Sequence, residues 1–171
     1  MAKLLIENII RFLVLILAQV FLFKNIGYYN LASPFPYIMA LMLLPARIPK
    51  FFLFTIAFLT GITVDAFYDT LGVHAAACVT LAWARIVFIN LTLQDDDYET
   101  SSTPGISQIS FRWFFIYAFV LSFFHHFTLY LLEVFSLNNF LYTLTSILFS
   151  CIFTTVLIVL FELILYRRKK R

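Results

Sequence analysis

Long apolar runs separated by short polar interruptions dominate this chain, and the runs have the length that a bilayer dictates. A hydrocarbon core about 30 Å thick takes roughly 20 mainly apolar residues per helix. Dividing the sequence where charges, prolines and asparagines interrupt it gives runs over residues 9–23, 31–44, 51–64, 73–93, 112–135 and 139–166. The pattern predicts an all-α integral membrane protein, a six-helix bundle forming one polytopic domain over residues 1–171. The second run is the irregular one. Pro34 and Pro36 open it, and Pro45 and Pro49 close it. Its helix is therefore expected to be short or bent, with freed backbone groups satisfied by protein or water.

Composition narrows the setting. With 63% hydrophobic residues, 12% charged residues and a mean hydropathy of +0.95, the chain lies outside the range of soluble domains. The longest stretch outside the runs is the loop 94–111, with four acids in Asp95–Glu99 followed by turn chemistry in Thr100–Gly105. No soluble domain fits there. Basic residues of short loops stay on the cytoplasmic side. Placing both termini inside puts ten of the twelve there: Lys3, Arg11, Arg47, Lys50, Arg112 and the tail Arg167–Arg171. Lys24 alone falls outside, and Arg85 lies within a run. The loop 94–111 is then cytoplasmic, and the turn between the third and fourth runs is extracytoplasmic. The net charge of +3 describes ends and loops, so no nucleic-acid surface is expected. No small-x-small site follows Phe23, so the first helix is read as uncleaved. Cys78 and Cys151 both fall inside runs, and neither a disulfide, a metal framework nor a cofactor is expected.

Ionisable groups inside a span cost roughly 2.5–3.5 kcal/mol at mid-helix, so each needs a partner. Arg85 continues a row of small residues, Ala75, Cys78 and Ala82, whose spacing makes a face for close helix packing. Glu162 lies at similar depth and is its expected ion-pair partner. In the fifth run Ser122, His126, Tyr130 and Glu133 share one stripe that should face the bundle. A His–Glu pair there could ligate a metal, but zinc needs three or four convergent ligands, so a hydrogen-bonded structural stripe is favoured. Neighbouring His125 and His126 diverge by about 100° and are not expected to serve one site. Tyr28, Tyr29, Tyr37, Tyr68 and Tyr142 lie near outer boundaries, as interfacial anchors do.

The most specific stretch joins the third and fourth runs: Gly61-Ile-Thr-Val-Asp65, then Asp69, then Leu71-Gly72-Val73-His74-Ala75. Gly61 permits a close backbone approach, Asp69 suits an Asx turn, and Gly72 supplies positive φ. On chemistry alone this is a hairpin in which an aspartate satisfies loose amides. The pattern also resembles the signature of the rod shape-determining protein MreD family, carried here by Gly61, Asp65, Leu71, Gly72 and His74. Hydropathy agrees over the whole length, while about fifteen residues match in detail. The resemblance implies a bacterial inner-membrane adaptor of the cell-elongation machinery. Its implied partners are a bitopic MreC-like protein, an MreB-like cytoskeletal protein and wall synthases. It also implies similarity in fold to the substrate-binding subunits of energy-coupling-factor vitamin transporters. The acidic loop departs from the family pattern and leaves a cytoskeletal contact there unsupported.

Phosphate-binding glycine loops, nucleophile elbows and His-Glu-x-x-His are not present in the sequence. The leading expectation is a non-enzymatic scaffold. The alternative is a substrate-binding subunit of a small-molecule importer, with the outer turn lidding a pocket. An intramembrane enzyme using Asp65, His74 or His126 is the weakest reading, because no nucleophile has a positioned base.

Overall fold

The computed structural model describes residues 2–26, 32–93, 103–134 and 140–165. The acidic run Asp95–Glu99, the tail Arg167–Arg171 and the expected anchors Tyr28 and Tyr29 lie outside them. Regular structure among the described residues is helical. Helix α1 (Ala2–Ala18) runs directly into a π-helical stretch, Gln19–Phe23. A 3-10 turn, Pro36–Ile38, leads into the four-residue α2 (Met39–Met42). Then follow α3 (Lys50–Tyr68), α4 (Val73–Thr92), α5 (Phe111–Val134) and α6 (Phe140–Leu165). Four stretches, Lys50–Tyr68, Val73–Thr92, Phe111–Glu133 and Leu141–Leu165, are long and apolar enough to cross a membrane. Successive helices from α3 to α6 pack pairwise in chain order, and α1 also packs on the Pro36–Met42 segment.

That segment is the centre of the molecule. Tyr37, Ile38, Met39, Leu41 and Met42 are completely buried. Over residues 31–44, where a short or bent helix is predicted, regular helix extends only from Pro36 to Met42. Seven residues rise only about 10 Å, a third of a bilayer core. Prolines set both limits. Phe35, caught between Pro34 and Pro36, stays out of the helical region at φ −124°, ψ 61°, since a following proline disfavours the α conformation. Leu43 leaves the helical region at φ −91°, ψ 11°, two residues before Pro45.

So short a helix leaves its backbone unpaired at both ends, and side chains of the surrounding helices take up those groups. On the entering side the Ser33 and Phe35 amides donate to Ser150 Oγ (2.9 Å) and Thr154 Oγ1 (3.0 Å) of α6. The Pro34 carbonyl accepts from Gln19 Nε2 at 3.2 Å. On the leaving side four successive carbonyls are capped. Met42 O accepts from the Tyr117 hydroxyl (2.8 Å) and Leu43 O from Arg11 (3.3 Å). Leu44 O and Pro45 O both accept from Arg85 Nη2, at 2.6 and 3.0 Å.

Arg85 is 1% exposed and has no carboxylate within ion-pair distance among the described residues. The expected Arg85–Glu162 pair does not form. Arg85 reaches the broken end of the second segment, whereas Glu162 accepts the Ile106 amide at 3.3 Å and fastens the loop after Gly105 to α6. Arg85 Nη2 meets carbonyl dipoles at a helix C-terminus, which favour a cation there, while Nε is buried without a partner among the described residues.

Candidate functional site

The turn between α3 and α4 is built as one joint. A Cβ on Gly61 would stand 2.2 Å from Ala75 Cα and 2.5 Å from Ala75 N, so the two helices touch backbone to backbone at this point. One turn later Asp65 meets the start of α4. The α4 N-cap is Gly72, which has no side chain to offer. Asp65 supplies the missing cap from the preceding helix: Oδ1 accepts the His74 amide and Oδ2 the Ala75 amide, each at 3.0 Å. These are the second and third residues of α4, whose amides an N-cap side chain normally takes. Thr70 Oγ1 also donates to Asp65 Oδ1, and His74 Nδ1 lies 3.1 Å from the same oxygen. Asp69 (φ 56°) and Gly72 (φ 81°) both turn through the left-handed region. Leu71 between them is fully exposed.

The end of α1 is tied to this hairpin. Gln19 Nε2 donates to the Tyr68 hydroxyl at 2.7 Å. Lys24 Nζ donates to the Phe67 carbonyl and lies 5.4 Å from the centre of the Tyr68 ring. Lys24 and the α3–α4 turn thus share one end of the bundle.

Beneath the hairpin all three histidines of the chain gather around one ring. The Phe35 centroid is 5.4 Å from that of His74, 6.0 Å from His125 and 5.5 Å from His126. The expectation that His125 and His126 serve different places is overturned. Their 100° divergence lets both rings reach the single side chain that the prolines drive between the helices. His125 Nε2 is 2.8 Å from the Tyr37 hydroxyl, which is 3.4 Å from Cys78 Sγ. Tyr37, expected as an interfacial anchor, is instead completely buried. His126 Nδ1 donates to the Ser122 carbonyl at 2.7 Å, which leaves Nε2 to accept from Thr154 Oγ1 at 3.2 Å. Tyr130 pairs with Ser150 Oγ at 2.8 Å.

Three of the four residues of the predicted stripe therefore act together. Ser122, through its carbonyl, His126 and Tyr130 brace the two α6 hydroxyls that hold the Ser33 and Phe35 amides. Glu133 is exposed and stands apart. The small face Ala75, Cys78 and Ala82 is buried within the chain, at Gly61 for Ala75 and at Tyr37 for Cys78. Sequence reading missed Gln19, Phe35, Tyr37, Tyr117, Ser150 and Thr154. Their signal was the paired prolines, which announce backbone in need of side-chain partners but not which partners.

Both Asp65 oxygens accept backbone amides, and the hydroxyls of Ser150 and Thr154 are engaged. His74 Nε2 and His125 Nδ1 are buried without partners among the described residues. Among the described residues no group of three or more His, Cys, Asp or Glu is placed to hold a metal ion. Compared with protein-family models, curated proteins and solved structures, the chain matches none.

Proposed function

We propose that this protein is a non-enzymatic scaffold of the bacterial inner membrane that supports peptidoglycan synthesis during cell elongation, as the resemblance of its turn to the MreD family implies. The observation that carries this reading is the hairpin itself. Gly61, Asp65, Gly72 and His74 are consumed in making one fixed joint, and the fifth residue of the pattern, Leu71, is held fully exposed at its tip. A rigid turn presenting one bare leucine suits protein contact. A few side chains buried in well-packed, desolvated pockets carry most of the energy of such an interface, and a leucine held bare at a fixed position is placed to enter one. The partner is an MreC-like bitopic protein, with MreB-like protein and wall synthases in the same assembly.

In this reading the chain crosses the membrane six times with both termini in the cytoplasm. The α1 helix and its π-helical extension cover 22 residues, about 33 Å of rise. The second crossing is the buried segment, which begins near Lys24 at the hairpin end and leaves beside Arg85. Lys24 then faces outward with Leu71, while Arg47 and Lys50 remain inside.

Replacing Leu71 with Asp changes a side chain that packs on nothing, so the fold is retained. Recovery of a co-expressed MreC-like partner should fall at least about tenfold, which corresponds to the loss of one anchor residue. Undiminished recovery would remove the hairpin from the interface.

A further inference from the structure

At the opposite end of α3 and α4 from the hairpin, a cleft of about 150 Å³ opens between the last two turns of α4 and the connection that leads into α3. Ile86, Ile89 and Leu93 give it an apolar wall, and Arg47, Lys50 and Asn90 bring polar groups to it. Among the described residues no acid lines it. Arg85 is held beside it, since its guanidinium takes the Leu44 and Pro45 carbonyls immediately before Ala46 of the cleft wall. Three cationic side chains therefore gather at one small cleft.

The backbone adds to this field. Helix α3 starts at Lys50 behind Pro49, with no side-chain cap and no acid in its first turn, so its first amides present the positive end of the helix dipole. The Lys50 ammonium is exposed and has no hydrogen-bond or ion-pair partner among the described residues. The carboxyl end of α4 brings about half a negative charge to the same place, which does not offset three cations. A cleft lined by one sign of charge, with low-dielectric walls, focuses its field on an incoming ion of the other sign.

Depth selects the anion. Lys50 is the first residue of one membrane-length helix, and Leu93 directly follows Thr92, the last residue of the next. The cleft thus sits where hydrocarbon gives way to headgroups, which is the level of lipid phosphates. Phe51, Phe52 and Leu91 next to it are exposed, so an apolar surface for acyl chains continues from its edge. Basic pockets between membrane helices are a recurrent means of holding anionic headgroups. We infer that the cleft between α4 and the start of α3 binds the phosphate group of an anionic phospholipid, with Lys50 and Arg47 holding the phosphate and Asn90 at its edge. The site is independent of the scaffold role, and loss of partner binding at Leu71 would leave it standing.

The test uses the full chain, stripped of lipid in detergent and offered equal phosphatidylglycerol and phosphatidylcholine, with retained lipid read by native mass spectrometry. Phosphatidylglycerol should be retained about tenfold or more over phosphatidylcholine, and Lys50→Gln should lower that preference about fivefold, the effect of one basic residue near the surface. Asn90→Trp changes no charge and fills the cleft from an exposed position, so the fold persists while retention of phosphatidylglycerol falls to the level of phosphatidylcholine. Unchanged retention in Asn90→Trp would overturn the cleft as the site, whatever Lys50→Gln does, because general attraction to a basic surface would then account for the preference. Equal retention of the two lipids by the unsubstituted chain would overturn the anionic headgroup. Displacement of phosphatidylglycerol by millimolar inorganic phosphate would make the ligand free phosphate and overturn the assignment to lipid.

Discussion

At Gly61 a single hydrogen decides whether two helices can meet. The nearest atoms to an added Cβ are Ala75 Cα and N and the His74 carbonyl, all backbone, so no rotamer change can relieve the clash. Gly61→Ala should therefore cost at least the upper end of the ~1–3 kcal/mol typical of overpacking. A thermal midpoint in detergent that matched the unsubstituted protein would refute backbone contact there. The same displacement would draw the Asp65 carboxylate away from the two amides it caps. This is why glycine and aspartate one helical turn apart form one unit: the first sets the distance that the second requires.

At the scale of elements, the second segment explains most of the polar side chains that the other helices bury. Met42, Leu43, Leu44 and Pro45 expose a run of carbonyls, and α1, α4 and α5 each contribute a donor. Removing this donor leaves the buried Leu44 carbonyl unpaired, while Pro45 O keeps the Ile48 amide at 3.3 Å. Arg85→Met is expected to destabilise the protein by about 1–3 kcal/mol. Arg85→Lys should recover only part of this, because an ammonium keeps the charge but loses the planar reach of the guanidinium. Unfolding of Arg85→Met, Glu162→Gln and the double variant should show coupling near zero. A coupling above about 1 kcal/mol would restore the ion pair that the sequence predicts.

For the whole molecule, the arrangement of hairpin, histidine cluster and capped carbonyls along the second segment makes topology testable. Both native cysteines, Cys78 and Cys151, are buried and free, so labelling of intact cells with a membrane-impermeant maleimide starts from a low background. Leu71→Cys should label from outside, as Lys24→Cys should, whereas Lys50→Cys should label only after permeabilisation. Labelling of Lys50→Cys in intact cells would invert the proposed orientation.

The sequence by itself determined the all-helical class, the four long apolar helices, the place where a helix must break and the hairpin between Gly61 and His74. Each of these follows from local chemistry: run length, proline geometry and glycine's access to positive φ. Which partner each buried polar group would find was decided only by tertiary structure. Depth along a helix paired Arg85 with Glu162, but a cation in an apolar interior is satisfied by any dense array of acceptors, and the broken segment placed four carbonyls among the helices. Angular spacing separated His125 from His126, yet Phe35, set between two prolines, brought both to one ring. Hydropathy and periodicity record how one helix sees its surroundings on average. They carry no record of a short, proline-interrupted helix threaded through the middle, whose unpaired amides and carbonyls determine where the polar side chains turn.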